Sequence, residues 1–329
     1  MVLPFTASSR HDPPPAKTDN PAVITLLHTT SSREVSGPRD PRLVIERESK
    51  MKRIMISLAV LAVIPAPSFA GSEKQQSGHF NSGGKKIAVE TFAPAGNGKH
   101  PALLLLHGVD GLGTPEAKMY RDLASTYAGR GYVIALVHYF DRTGATKEDH
   151  DEYRELFVNY FTRKATPKAV NRTKELVAVW AETVRDGVTH MRTLSRVDGD
   201  RIGLVGFSLG GTLALTAAVE HELKLAALVE CFGALPFEIR NRPKTLAPTL
   251  IIHGDADRVV PVEQAYRLAG MLLARKLVPE MEVYAGVHHM FFKDGKELQV
   301  RSLLEAKARA DAFLDGHLKP VRPATSVNK

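Results

Sequence analysis

From Lys85 onward the apolar positions fall into two patterns that alternate along the chain. Lys85–Phe92 (KKIAVETF) switches between apolar and polar residues, which predicts a half-exposed strand. Ser77–Ser82 is placed to pair with it across Gly83-Gly84. Ala102–Leu106 and Gly131–Tyr139 are continuous apolar runs, the pattern of strands buried on both faces. Between them, Thr114 and Pro115 read as a helix N-cap and first-turn proline, with Gly129 or Gly131 as the stop. Strand, helix and strand then form a right-handed βαβ unit with parallel strands.

The pattern continues downstream. In the polar stretch 141–168, Tyr153, Leu156, Phe157, Tyr160 and Phe161 recur at helical spacing. An amphipathic helix packed on the body and an aromatic lid or pocket wall both fit that spacing. A second helix starts at Thr166-Pro167 and runs to about Leu194, with Val177, Trp180, Val184 and Val188 as its buried stripe. Further strands are expected at Ile202–Val205, Ala226–Phe232, Thr249–His253 and Met281–Tyr284. Helices are expected after Ser208, over Val262–Leu277 and over Ser302–Leu318, the last with Leu303, Leu304, Ala308 and Phe313 on one side. Strands alternating with helices predict an α/β domain with a largely parallel sheet.

The first seventy residues break this pattern. Residues 1–50 hold seven of the chain's twenty prolines and show almost no periodicity, a composition that predicts disorder. At Met51 a short basic region, Lys52-Arg53, precedes an eleven-residue apolar run, Ile54–Ile64. Pro65 and Pro67 follow, then Ser68-Phe69-Ala70 with small residues where a signal peptidase reads. These are the parts of a secretory signal peptide, and the run falls short of the roughly 20 residues a membrane span needs. Because such signals act at an N-terminus, the expected start is Met51, with residues 1–50 a spurious extension. The rest, residues 71–329, is expected to be one exported domain, periplasmic or secreted, without a stable membrane anchor.

Composition narrows the picture further. The chain has 329 residues, 43% apolar and 24% charged, which suits a packed core. The net charge of +8 is spread thinly, without like-charge blocks or interleaved aromatics, so a nucleic-acid partner is not expected. Cys231 is the only cysteine, which excludes an intramolecular disulfide and a thiolate metal cluster. It is read as buried packing at a strand end away from the Ser208 turn. His107, His138 and His253 also end strands, but no H-E-x-x-H or comparable spacing marks a metal site, and no cofactor is expected.

The chemistry gathers at predicted strand ends. Arg201–Thr212 (RIGLVGFSLGGT) reads as strand, tight turn and helix with Ser208 at the apex, a G-x-S-x-G nucleophile elbow. In an open parallel sheet, ligands sit at the carboxyl ends of the strands. Three other ends carry His107-Gly108-Val109, Asp257 and His289, and the chain order Ser, Asp, His matches a hydrolase triad. Asp255 and His288 are the neighbouring alternatives for the acid and the base.

These motifs, HGVDG, GFSLGG, HGDADRVVP and YAGVHHMFF, resemble the dienelactone hydrolase family of the α/β-hydrolase superfamily over roughly Lys85–Leu318. The resemblance implies an α/β-hydrolase fold, a twisted and mostly parallel sheet of about eight strands flanked by helices. It implies Ser208 as nucleophile, His289 as base and Asp257 as acid, with the backbone N–H groups of Leu209 and Val109 as oxyanion donors. It favours Asp257 by the H-G-x-x-D spacing from His253, and His289 by the H-x-F spacing to Phe291. The enzyme that names the family has cysteine at the elbow and glutamate after the third strand; here those positions are Ser208 and Gly108. That departure shifts the expected substrate from dienelactone to a broader small-molecule ester or lactone. Arg142 is a further candidate, for a substrate carboxylate. An aminopeptidase-like or acyltransferase activity, and a non-catalytic binding protein on the same fold, are the alternative readings.

Overall fold

The computed structural model describes residues 74–319, apart from 115–116, 147–148, 237–238, 240–245 and 294–296. The expected disordered extension (1–50), the signal peptide (51–70) and the first-turn role of Pro115 lie outside the described residues. The elements run β1 (Lys74–Ser82), β2 (Lys85–Ala93), β3 (His100–Leu106), α1 (Ala117–Gly129), β4 (Val133–Val137), α2 (Asp149–Phe161) and α3 (Pro167–Thr193). They continue with β5 (Val197–Phe207), α4 (Leu209–Glu220), β6 (Ala227–Cys231), β7 (Thr249–Gly254), α5 (Glu263–Leu273), β8 (Glu280–Tyr284) and α6 (Val300–Leu318). A two-residue pair, β9 (Phe292–Lys293) with β10 (Glu297–Leu298), precedes α6.

Eight strands form one sheet in the order β1-β2-β4-β3-β5-β6-β7-β8. β1 and β2 join antiparallel; from β4 to β8 every neighbouring pair is parallel. This is the α/β-hydrolase fold. The two-residue side-chain period of each strand sorts its apolar residues into two layers. Leu103 and Leu105 join Val205, Val229 and Ile252 under α1 and α6. Leu104 and Leu106 join Leu204, Leu228 and Ile251 under α3, α4 and α5. Continuous apolar runs are therefore needed, because both faces are covered.

The order of connections decides where a site forms. From β3 the chain moves outward to β4, then returns past β3 to lay down β5 on the other side. The helix after β3 packs on one face and the helix after β5 on the other. The sheet therefore has a topological switch point between β3 and β5, and such points open a crevice beyond the strand carboxyl ends.

The helices follow the expected boundaries closely, except that α5 ends at Leu273 rather than Leu277, and two side-chain expectations differ. Thr166 caps α3 as expected, its hydroxyl accepting from Ala169 N at 3.3 Å, whereas the Thr114 hydroxyl has no hydrogen-bond partner among the described residues. In α6 the buried stripe is Ala306, Ala310, Phe313 and Leu314, and Ala308 is exposed. The aromatic positions of α2 pack inward: Tyr153 and Phe157 rest on Trp180 of α3, with ring centroids 5.3 and 6.1 Å away.

Candidate active site

Ser208 sits between β5 and α4 with φ 54° and ψ −116°, a backbone conformation that side chains disfavour. Two glycines make the turn possible. A Cβ on Gly206 would lie 2.3 Å from Gly210 O, and one on Gly210 would lie 2.2 Å from Leu106 O. Any side chain at either position would push β3, β5 and α4 apart. The turn is pinned where Ser208 N–H donates to Cys231 O at 2.8 Å. Cys231 is buried as expected, but it lies beside the elbow rather than away from it, because β6 pairs Cys231 with Phe207.

The other two side chains arrive from β7 and β8. Asp257 Oδ1 accepts from Val259 N (2.8 Å) and Val260 N (2.9 Å), a turn that closes on its own carboxylate. Asp257 Oδ2 lies 2.6 Å from His289 Nδ1, and His289 Nε2 lies 3.0 Å from Ser208 Oγ. Burial by itself would raise the Asp257 pKa. The neighbouring imidazoles of His253 and His289 outweigh it and hold the carboxyl well below the usual carboxylate range. An ionised carboxylate only accepts, so His289 carries its proton on Nδ1, and the Ser208 hydroxyl donates to Nε2.

The alternatives are otherwise engaged. Asp255 Oδ1 accepts from Gly286 N at 2.6 Å and shapes the loop that carries the base. His288 offers its backbone N–H to Gln299 Oε1 at 3.1 Å, while its neighbour His289 faces Asp257 and Ser208. Arg142 needs a correction. Its guanidinium donates to Glu182 Oε2 (3.0 Å) and Gly83 O (3.1 Å), tying the β1–β2 turn to α3. Those partners hold it in a structural tie and do not bring it to the triad.

The loop after β3 stands across the switch point. A Cβ on Gly108 would lie 3.6 Å from Ser208 Cβ, so this backbone borders Ser208 directly. The Gly108 carbonyl accepts from His107 Nδ1 at 2.7 Å and from Gly111 N at 3.2 Å. A peptide is planar and trans, so fixing that carbonyl also aims the Val109 N–H, which emerges on the opposite side. His107 is itself locked. It is buried, its ring stacks on Tyr139 at 4.0 Å, and burial pushes its pKa down to about 3. It is therefore neutral, with its donor on Nδ1 because a carbonyl can only accept. Leu209, the first residue of α4, presents an N–H with no acceptor inside its helix.

Sequence reading missed several supporting residues. Gln299 latches the base loop with Nε2 to Gly286 O (2.9 Å), with Oε1 from His288 N, and with its own N–H to Phe291 O (2.8 Å). Phe232 packs edge-on against the His289 ring at 5.1 Å. Tyr120 accepts from Gly108 N at 2.8 Å, and Tyr139 donates to His107 O at 2.8 Å. None lies in a motif; each reaches the site by tertiary packing alone. No cluster of three or more His, Cys, Asp or Glu side chains suited to a metal occurs among the described residues. Nor is any described helix long and apolar enough to cross a membrane.

A parallel sheet with its switch point between β3 and β5, and a Ser–His–Asp line at its carboxyl edge, defines the α/β-hydrolase class. The family model described as the dienelactone hydrolase family matches residues 87–316. The chain belongs to that family. It is similar to a protein of Nocardia uniformis subsp. tsuyamanensis named as the esterase NocK, 28% identical over 179 residues, covering 54% of this chain and 46% of that one. The match thus spans just under half the length of NocK. A Bradyrhizobium protein named as a 2-oxo-3-(5-oxofuran-2-ylidene)propanoate lactonase is 24% identical over 217 residues, covering 60% of this chain and 76% of that one. The fold is shared with a crystal structure described as a dienelactone hydrolase from Klebsiella pneumoniae subsp. pneumoniae MGH 78578, with TM-score 0.58 and 20% identity. That match covers 74% of this chain and 99% of the other.

Proposed function

We propose that the protein hydrolyses small-molecule carboxylic esters or lactones through an acyl-enzyme on Ser208. The observation that carries this reading is the unbroken line from Ser208 Oγ through His289 to Asp257, at 3.0 and 2.6 Å. A serine hydroxyl is a weak nucleophile until a base takes its proton. His289 Nε2 takes it as Oγ attacks the ester carbonyl carbon, and the carbonyl π pair moves onto oxygen. Asp257 holds the imidazole in the required tautomer and stabilises the imidazolium that forms. The Val109 and Leu209 N–H groups bind the oxyanion, and the N-terminus of α4 favours negative charge there. Collapse expels the alkoxide, which takes the proton from His289. Water then repeats the sequence against the acyl-enzyme, releasing the acid and restoring Ser208. In a lactone the leaving alkoxide stays tethered to the acyl group, so one product results.

Gly108 supports a broad ester preference. The glutamate of the family's namesake is absent there, and the backbone itself meets the nucleophile. A fluorophosphonate probe tests the reading. Expected is stoichiometric labelling of Ser208, blocked by Ser208→Ala, with turnover on a panel of p-nitrophenyl esters and lactones. Folded protein that resists labelling overturns it, and turnover confined to aminoacyl amides favours a peptidase instead.

We also propose export through residues 51–70. A mature N-terminus near Gly71 in the native protein supports this, and peptides from 1–50 overturn it.

A further inference from the structure

Beneath the triad lies a second pair of polar side chains that the proposed mechanism does not use. Glu230 is on β6 and His253 on β7. β6 and β7 run parallel with Glu230 abreast of Ile251, so His253, two residues on, shares the same sheet face. Both are essentially sealed from solvent, at 1% and 0% exposure. Glu230 Oε1 accepts from Gly233 N, while Oε2 has no hydrogen-bond partner among the described residues. His253 Nε2–H donates to Val260 O at 2.9 Å and stands 3.4 Å from Asp257 Oδ2. His253 Nδ1, like Glu230 Oε2, has no partner among the described residues.

Such a pair is costly. Apolar residues of similar volume at these positions would pack without desolvating a charge or orphaning a polar atom. Their placement explains what they do. Val260 is gripped from both sides, its carbonyl by His253 and its N–H by Asp257 Oδ1. The other end of the pair lies under the elbow, where Glu230 Oε1 would be 3.0 Å from a Cβ on Gly211 of α4. Glu230 and His253 thus share one buried face of the sheet, and His253 lies against Asp257, which in turn holds His289.

We propose that Glu230, acting through His253, is a titratable positioning residue for Asp257 and so tunes how strongly His289 acts as a base. This rests on the triad reading above. The titratable groups facing Glu230 are His253 on β7, Asp257 beyond it and the Cys231 thiol on its own strand. From β5 and α4 it meets Gly206 and Gly211, which carry no charge. Burial pushes the Glu230 carboxyl up to about 7, with His253 and the Gly233 N–H opposing. Burial would lower His253, but Asp257 and Glu230 more than reverse that and raise it. The Glu230 carboxyl therefore changes its charge near neutral pH and, once ionised, sets a negative charge behind the Asp257 carboxylate.

The test is Glu230→Gln, which keeps an acceptor for Gly233 N–H and removes the charge. The full-length chain is assayed across pH by fluorophosphonate labelling of Ser208 and by kcat/KM on a p-nitrophenyl ester. Expected is an acid limb displaced to lower pH by about half a unit, a gain of about threefold at the foot of the limb relative to each plateau. An unchanged limb in folded Glu230→Gln overturns the proposal, because a purely structural role would lower the plateau without moving the limb. If that variant fails to fold, Glu230→Met removes the charge with an apolar side chain of similar volume. The same displacement is expected, and its absence overturns the proposal. Wild-type protein that is not labelled at Ser208 removes the triad reading together with this one. Labelled wild type with an unmoved limb removes this one alone.

Discussion

Ser208 and His289 reach each other by opposite routes. The elbow at Ser208 is built by its own neighbours: Gly206 and Gly210 allow a crossing that any Cβ would block, and α4 begins at the next residue. The base loop has no such local grammar. Met290 (φ 53°) and Phe291 (φ 62°) adopt left-handed conformations without being glycine. They are held there by hydrogen bonds from Gln299, just beyond the β9–β10 pair. One arm of the site is shaped by short-range sterics and the other by tertiary hydrogen bonds. Strain of this kind persists only where the surroundings over-determine it.

The sharpest way to probe the contrast is Ser208→Gly. Activity should fall about 10⁴- to 10⁶-fold. Thermal unfolding should show a gain of about 1 kcal/mol, because glycine relieves the positive φ. A loss of stability would mean that the elbow stores no strain. Next comes Gly210→Ala, whose new methyl would meet Leu106 O at 2.2 Å. A cost above about 3 kcal/mol in denaturant unfolding is expected, with loss of probe labelling. Tolerance of this change would show that the elbow is not set by backbone crowding.

Each arm also has its own buried carboxylate, and pH separates them. Asp257 has a depressed folded pKa, so its contribution is present above the ordinary carboxyl value of 3.8 and is lost as pH falls below it. Glu230 has a raised one, so the folded state binds the extra proton between 4.5 and about 7 and loses stability as pH rises through that window. Glu230→Gln should therefore gain on wild type by on the order of 2 kcal/mol between pH 5 and pH 8. Parallel stability curves would remove the assignment. The smallest effect is expected for Gln299→Ala. kcat should fall about tenfold while the unfolding free energy changes by less than about 1 kcal/mol, since the latch orders a surface loop. A large stability loss with intact kcat would reverse the roles given to the two arms.

Much of this was legible before any coordinates. Strand runs such as Leu103–Leu106 are apolar at every position because both sheet faces are covered, and that signal needs no partner to be read. The elbow was legible for the same reason: its glycines act within five residues of Ser208. Tyr120, Tyr139 and Phe232 were not legible, since each meets the site from a different element, and Gln299 was not because no spacing rule marks it. Arg142 misled because proximity in sequence to the β4 end says nothing of which way a guanidinium turns. Glu182 and the Gly83 carbonyl decided that.

By itself, the sequence determined the class of fold and marked Ser208, Asp257 and His289 as the candidates for nucleophile, acid and base. Periodicity and steric motifs are local properties, and a chain carries them whether folded or not. Only the tertiary structure decided that the Gly108–Val109 peptide is aimed by a neutral His107, and that the base loop hangs on Gln299. It alone placed Glu230 and His253 behind Asp257. These are matters of direction and burial, and direction and burial exist only once distant segments have packed.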